Sequence, residues 1–134
     1  MDRLTGVHPS LTSVVHRALS HSTVDFAVLE GVRTRHRQTT LVKAGASKTM
    51  DSRHLTGHAV DLGAWIGGSV RWDWPLYLKI AEAMRTASQE LNTPIRWGGT
   101  WGLLSNINGP ITISDMHKQF PDGPHFELPR AQYP

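Results

Sequence analysis

Apolar positions recur at helical spacing in three stretches of the chain and at strand spacing in four. In HPSLTSVVHRALSHS, Leu11, Val14, Val15 and Leu19 fall on one helical face and Ser10 stands where an N-cap belongs. This predicts a helix over about residues 10–21, with His16 and His21 on its solvent side. VDFAVLEGV is a short β-prone run ending at Gly31, and RHRQTTLVKAGAS after it reads as a helix closed by Gly45, whose freedom at positive φ suits a C-terminal cap. HAVDLGAWI alternates and is rich in β-formers, WPLYLKIAEAMRTASQELN is the clearest amphipathic helix, and IRWGGTW and HFEL are short strand candidates. Residues 102–124 hold Gly, Asn, Pro and Asp without a sustained period, the pattern of a functional loop. The whole predicts an α+β fold with a small, mainly antiparallel sheet flanked by helices.

Length and composition narrow this picture. A chain of 134 residues suits one domain with a real core, and no repeat, low-complexity tract or linker divides it. There is no cysteine, which excludes disulfides, thiol catalysis and cysteine-held zinc, so any metal site must come from Asp, Glu and the eight histidines. The net charge of +3 is spread over scattered Lys and Arg, giving a mild attraction to anionic polymers. No basic patch is interleaved with aromatic residues and no H-N-H-like constellation is present, so no nucleic-acid partner is expected. Neither an apolar secretory segment nor a run near the roughly 20 apolar residues of a membrane span occurs. The expectation is a soluble monomer, made in the cytoplasm without a signal peptide and without stable membrane insertion.

Chemistry concentrates in SRHLTGHAVDLGAW, residues 52–65, where two histidines and an aspartate crowd the start of a strand. In an extended Gly57–Leu62 segment, His58 and Asp61 point to opposite faces. His54 precedes Gly57, and a glycine there lets the chain turn until the His54 imidazole meets the Asp61 carboxylate. A zinc ion needs a third protein ligand, with a fourth position open in a catalytic site, and His125 in PDGPHFEL is the best candidate. Three residues earlier stands Asp122, close enough in a tight turn to serve as general base and acid without ligating the metal. Two histidines and one aspartate on one zinc per chain, with a free carboxylate alongside, suit amide hydrolysis without a covalent intermediate. His54 and His58 are spaced as in the helical H-E-x-x-H motif, but Leu-Thr-Gly between them lacks the Glu and opposes a helix. Glu127 would project on the side of His125 and is a rival to Asp122, with a structural ion pair as its alternative role.

At this point the residues carry a resemblance. SRHLTGHAVD resembles the S-x-H-x-x-G-x-A-x-D motif of the zinc peptidases related to the D-alanyl-D-alanine carboxypeptidases and dipeptidases, and DGPHFEL resembles their second motif. Within that group the chain is most similar to phage endolysins that act as L-alanyl-D-glutamate endopeptidases. There GVRT, GASKT, SRH, AVDL, WGGxW and PHFEL recur in this order, and the resemblance spans about Gly31 to Leu128. It implies a hedgehog/DD-peptidase-like fold in a single catalytic domain over 1–134 with no separate wall-binding domain. It also implies zinc on His54, Asp61 and His125, Asp122 as general base and acid, and Arg33 as stabiliser of the carbonyl oxygen as it becomes negative. The substrate implied is the peptide stem of bacterial peptidoglycan, reached after release by a holin-like route. Many members of the wider group have Glu where this chain has Asp122, and the shorter side chain demands a closer loop.

The remaining candidates have bland readings beside functional ones. Arg33 can pair with Glu30, Ser52 can orient a ligand or cap a turn, and Lys48 can meet the free carboxylates of a peptide stem or only solvate its loop. Trp97 and Trp101 can wall the cleft, while Trp65, Trp72 and Trp74 read as core or core-edge anchors around the long helix. Two other functions use the same metal site: a D-Ala-D-Ala carboxypeptidase or dipeptidase, and a zinc-stabilised binding module that has lost hydrolysis.

Overall fold

A computed structural model describes residues 3–45, 50–116 and 121–134. The first helix, α1 (Pro9–His21), starts at Pro9, which has no N–H to satisfy at that position, and His8 rather than Ser10 is its cap. The His8 Nδ1 accepts from the Ser10 backbone N–H at 3.1 Å. Its buried stripe is Leu11, Val14, Val15 and Ala18. Leu19, expected on that face, is one residue further round the helix and 45% exposed. Helix α2 (Arg35–Lys43) is capped by Thr34 and ends before Gly45 at φ +75°. It is polar nearly all round, and Gln38 is its one buried residue. The long helix α3 (Trp74–Glu90) lays Tyr77, Ile80, Ala81, Met84 and Ala87 into the core it shares with α1.

The strands are β1 (Phe26–Glu30), β2 (Ala59–Ile66), β3 (Ser69–Arg71), β4 (Arg96–Trp97), β5 (Gly102–Leu103) and β6 (His125–Glu127). They form an antiparallel sheet of order β1-β2-β6-β4-β5, with β3 folded back on β2. Strand β3 is an addition to the sequence reading. Its hairpin turns through Gly67 and Gly68, both at positive φ, the backbone a two-residue hairpin loop requires.

Register divides the sheet into two faces. Val60 lies opposite Phe126 and Phe126 opposite Trp97, and with Leu62 these side chains are fully buried in the core. Asp61 lies opposite His125, and Glu127 opposite both Ala59 and Arg96, so the chemically active side chains share the other face. Trp65 has the parity of Asp61, which turns it away from the helices, and it is 45% exposed. Trp72, in the link between β3 and α3, is 61% exposed, and of the three tryptophans expected at the core only Trp74 packs against it.

Residues 102–116 are stitched to α3. Leu104 and Ile111 are buried, the Arg85 guanidinium donates to the carbonyls of Ile107 and Gly109 at 3.2 and 2.8 Å, and a Glu82 carboxylate oxygen accepts from the Ile111 N–H at 2.6 Å. Among the described residues no helix is long and apolar enough to cross a membrane.

Candidate metal centre and active site

Three segments bring the metal candidates together. Ser52 accepts a hydrogen bond from the His54 N–H at 3.2 Å and so caps a 3-10 turn, Arg53–Thr56. Gly57 closes the turn at φ +78°, and a Cβ there would stand 2.4 Å from the Gly6 carbonyl oxygen, so glycine is needed both for conformation and for room. The turn delivers His54, β2 delivers Asp61, and cross-strand pairing places His125 opposite Asp61. One ligand atom from each of the three lies within 4.8 Å of the others.

Hydrogen bonding fixes which atoms face inward. The Nδ1–H of His54 donates to the Gly31 carbonyl at 2.9 Å, which leaves Nε2 facing the Asp61 Oδ1 at 3.2 Å. The Nε2–H of His125 donates to Glu127 at 2.7 Å, which leaves Nδ1 facing the same Asp61 oxygen at 3.5 Å. Two neutral imidazoles so anchored would aim lone pairs at a carboxylate oxygen, and three acceptors in contact need a proton or a metal ion among them. Ligand atoms about 2.0–2.2 Å from a tetrahedral zinc stand about 3.3–3.6 Å apart, close to the 3.2 and 3.5 Å that separate the Asp61 Oδ1 from the two imidazole nitrogens. The carbonyl and the carboxylate behind the two rings are the outer partners that a metal-ligating histidine requires.

The electrostatics agree. Burial is the largest single influence on both and would raise the Asp61 carboxyl and lower the His125 imidazole, but the hydrogen bonds and opposite charges around them, led by their mutual bond, together outweigh it. With His54 adding to the same effect, Asp61 is held far below the usual carboxylate range. With Glu127 adding its own bond, His125 is lifted to about 9. In Glu127, burial is the largest influence but is overcome by the bond to His125 together with the charges of His125, Arg96 and Arg53, and the carboxyl is lowered.

Asp122 stands beside this group in a tight turn, where the His125 N–H donates to the Asp122 carbonyl at 3.2 Å. The turn is pinned on three sides. Asp122 and Gly98 are linked backbone to backbone at 2.9 Å, the Leu62 N–H donates to the Pro124 carbonyl at 2.9 Å, and the Trp97 indole N–H donates to the Gly123 carbonyl at 2.8 Å. Gly98 forms its floor, since a Cβ there would lie 2.4 Å from the Asp122 carbonyl oxygen. Burial, and then the charge of Asp61, raise the Asp122 carboxyl above its ordinary pKa.

Other candidates fall into place around it. Arg33 is buried and gripped: Nε and Nη2 donate to Glu30 at 2.8 and 3.0 Å, Nη1 to Gln38 at 2.7 Å, and Nη2 also lies 3.5 Å from the Asp61 Oδ2. Burial is the largest influence on Glu30, but the bidentate bond to Arg33 and the guanidinium charge together outweigh it and lower the carboxyl. Trp101 is the tryptophan at the ligands, its ring 5.4 Å from that of His125 and covered by the Arg96 guanidinium at 5.0 Å. Trp97 is fully buried, stacked on Phe126, and so braces the turn from behind instead of walling a cleft. His58 points away, paired with Thr56 and stacked near His8. Lys48 lies outside the described residues. Sequence reasoning passed over Gln38 and the Gly31 carbonyl, which nothing local in the sequence marks. The pairing of Glu127 with His125 was open to it through their two-residue spacing in HFEL.

Comparison with known proteins agrees with this geometry. A family described as phage L-alanyl-D-glutamate peptidase matches residues 1–129. The chain is 32% identical over 130 residues to the L-alanyl-D-glutamate peptidase of Escherichia phage T5, covering 94% of this chain and 91% of that protein. It is 32% identical over 84 residues to the L-alanyl-D-glutamate peptidase of Listeria phage A118, covering 62% of this chain and 29% of the longer protein. The crystal structure of the Serratia marcescens L-Ala D-Glu endopeptidase ChiX superposes with a TM-score of 0.83 at 44% identity, covering 98% of this chain and 87% of that one. A fold matched over 98% of the chain, with a largely buried His-Asp-His group on its sheet and a family match over residues 1–129, places the chain in the phage L-alanyl-D-glutamate peptidase family.

Proposed function

We propose that the chain is a zinc-dependent peptidoglycan endopeptidase, an endolysin that hydrolyses the amide between L-alanine and D-glutamate in the peptide stem. The observation that carries this reading is the orientation of the donor set. Both imidazoles are tied by their outer N–H groups and face Asp61, and the Asp122 carboxylate stands beside them in the same turn as His125. His54, Asp61 and His125 would hold the ion, and two imidazoles with one carboxylate are a donor set suited to zinc with a fourth position open. Bound there, zinc supplies Lewis acidity that polarises the scissile carbonyl and makes water a nucleophile near neutral pH.

The chain's own residues supply the rest. Asp122, raised by burial and by Asp61, takes the proton of the attacking water and passes it to the leaving amine. Arg33 is held rigid by Glu30 and Gln38, and its charge beside Asp61 is the group for the carbonyl oxygen as it becomes negative. Trp101 offers a flat wall next to His125 for the stem. Acting on the wall, the enzyme meets its substrate after a holin-like release.

The test is purified protein on peptidoglycan, with and without a chelator and with zinc added back, reading released termini by mass spectrometry. New D-glutamate amino termini that vanish with the chelator and return with zinc are expected. Release of terminal D-alanine alone would make the enzyme a carboxypeptidase, and intact wall under zinc-loaded protein would overturn the reading.

A further inference from the structure

The first turns of α3 hold a buried phenol that the site described so far does not use. Tyr77 is 3% exposed, and among the described residues its hydroxyl has no hydrogen-bond partner. A buried tyrosine hydroxyl ordinarily finds one, and leaving it unpaired is costly where phenylalanine would fill the same space. The ring lies against the turn that carries Asp122, since a Cβ added to Gly123 would stand 3.2 Å from the Tyr77 Cγ. Trp72 and Trp74 flank it, with ring centres 6.4 and 6.0 Å away. Burial, then the charges of Asp122 and Asp61, push the hydroxyl up to about 12, so it remains a proton donor throughout the neutral range and feels both carboxylates.

Of those two carboxylates one is already occupied. Asp61 spends Oδ1 on the two imidazoles and Oδ2 on Arg33. The Asp122 side chain makes no such bond among the described residues. A buried donor without an acceptor thus sits on a ring packed against the turn that carries Asp122, a turn whose backbone is pinned by Gly98, Leu62 and Trp97.

We propose that Tyr77 is a positioning residue for hydrolysis: its hydroxyl donates to the Asp122 carboxylate in the working site and holds that group in the orientation from which it accepts and returns the proton. The backbone of the turn stays in place, and the movement that joins the two groups is that of the Asp122 side chain. This rests on the role given to Asp122 above.

Tyr77→Phe keeps the ring and removes only the hydroxyl. On a defined muropeptide, kcat is expected to fall about ten-fold, the worth of one hydrogen bond to a carboxylate, with KM and zinc content unchanged. The melting temperature of the zinc-free variant should equal or exceed that of the wild type, because an unpaired buried polar group has been removed. In an Asp122→Ala background the same substitution should have no further effect on kcat. A Tyr77→Phe enzyme with kcat within two-fold of wild type would overturn the proposal, and so would a loss of kcat accompanied by a lower melting temperature or lost zinc. Wild-type protein on the same muropeptide separates the readings: if it fails to cleave, the proposed function fails, and if it cleaves as fast as the variant, only the role of Tyr77 does.

Discussion

Asp122 and Glu127 are both acidic, both near His125 and differently employed, and the difference comes from where each carboxylate points. Glu127 accepts from the His125 ring at 2.7 Å and lies near Arg96 at 3.6 Å, so it sets the orientation of that imidazole. Glu127→Gln is expected to weaken zinc binding about 10- to 100-fold with the fold intact, as a competition titration against a chromophoric chelator would read. Asp122→Ala should keep full zinc content and the native melting profile yet lose hydrolysis by a factor of about 10²–10⁴, measured as muropeptide release. The meeting of His54, Asp61 and His125 was legible in the sequence because residue type, spacing and one glycine constrain them together. The job of Glu127 was legible only as a choice between base and ion pair, because the register of β6 decides it. Gln38 was not legible at all: its partner Arg33 meets it through the packing of α2, which leaves no mark on the helix's own pattern.

Among the elements, the Asp122–His125 turn is where chemistry and architecture are the same object. Gly98→Ala would press a methyl group to 2.4 Å from the Asp122 carbonyl oxygen and 3.0 Å from the Asp122 and His125 Cβ atoms. Overpacking of this kind costs about 1–3 kcal/mol. Its expected signature is a fall in kcat of at least ten-fold with an unchanged circular-dichroism spectrum and a melting temperature only a few degrees lower. Long periodic elements, α1 and α3 above all, were readable because many residues repeat the same message. Strands β3 and β5 are too short to carry a period and were not legible, although the Gly67–Gly68 pair marks the turn before the first, while β4 falls within the IRWGGTW candidate. Trp65 and Trp72 misled because hydrophobicity alone does not say which face of a sheet, or which side of a link, a tryptophan takes.

For the molecule as a whole, the α+β class and antiparallel sheet followed from the order of elements, while the order of strands in the sheet came only with the structure. The metal group also governs stability. Without metal, His125 has its pKa lifted to about 9 in the folded state from a usual value near 6.5. Its stabilising contribution is therefore fully present below about pH 6.5 and is lost as the pH rises through about 9. Melting curves of the metal-free protein should show stability declining over that window, and zinc should restore it, since the ion takes the place of the proton on the imidazole. The ligands come from both sides of the Gly67–Gly68 tip, which is open around both glycines: His54 and Asp61 before it, His125 far beyond it. A chain divided at that tip would leave two pieces, each holding an incomplete set of donors, with β2 and β6 as the seam between them. An ion bound there would become a clasp, and the centre proposed for cutting a wall would serve as the switch that joins two halves of a split protein.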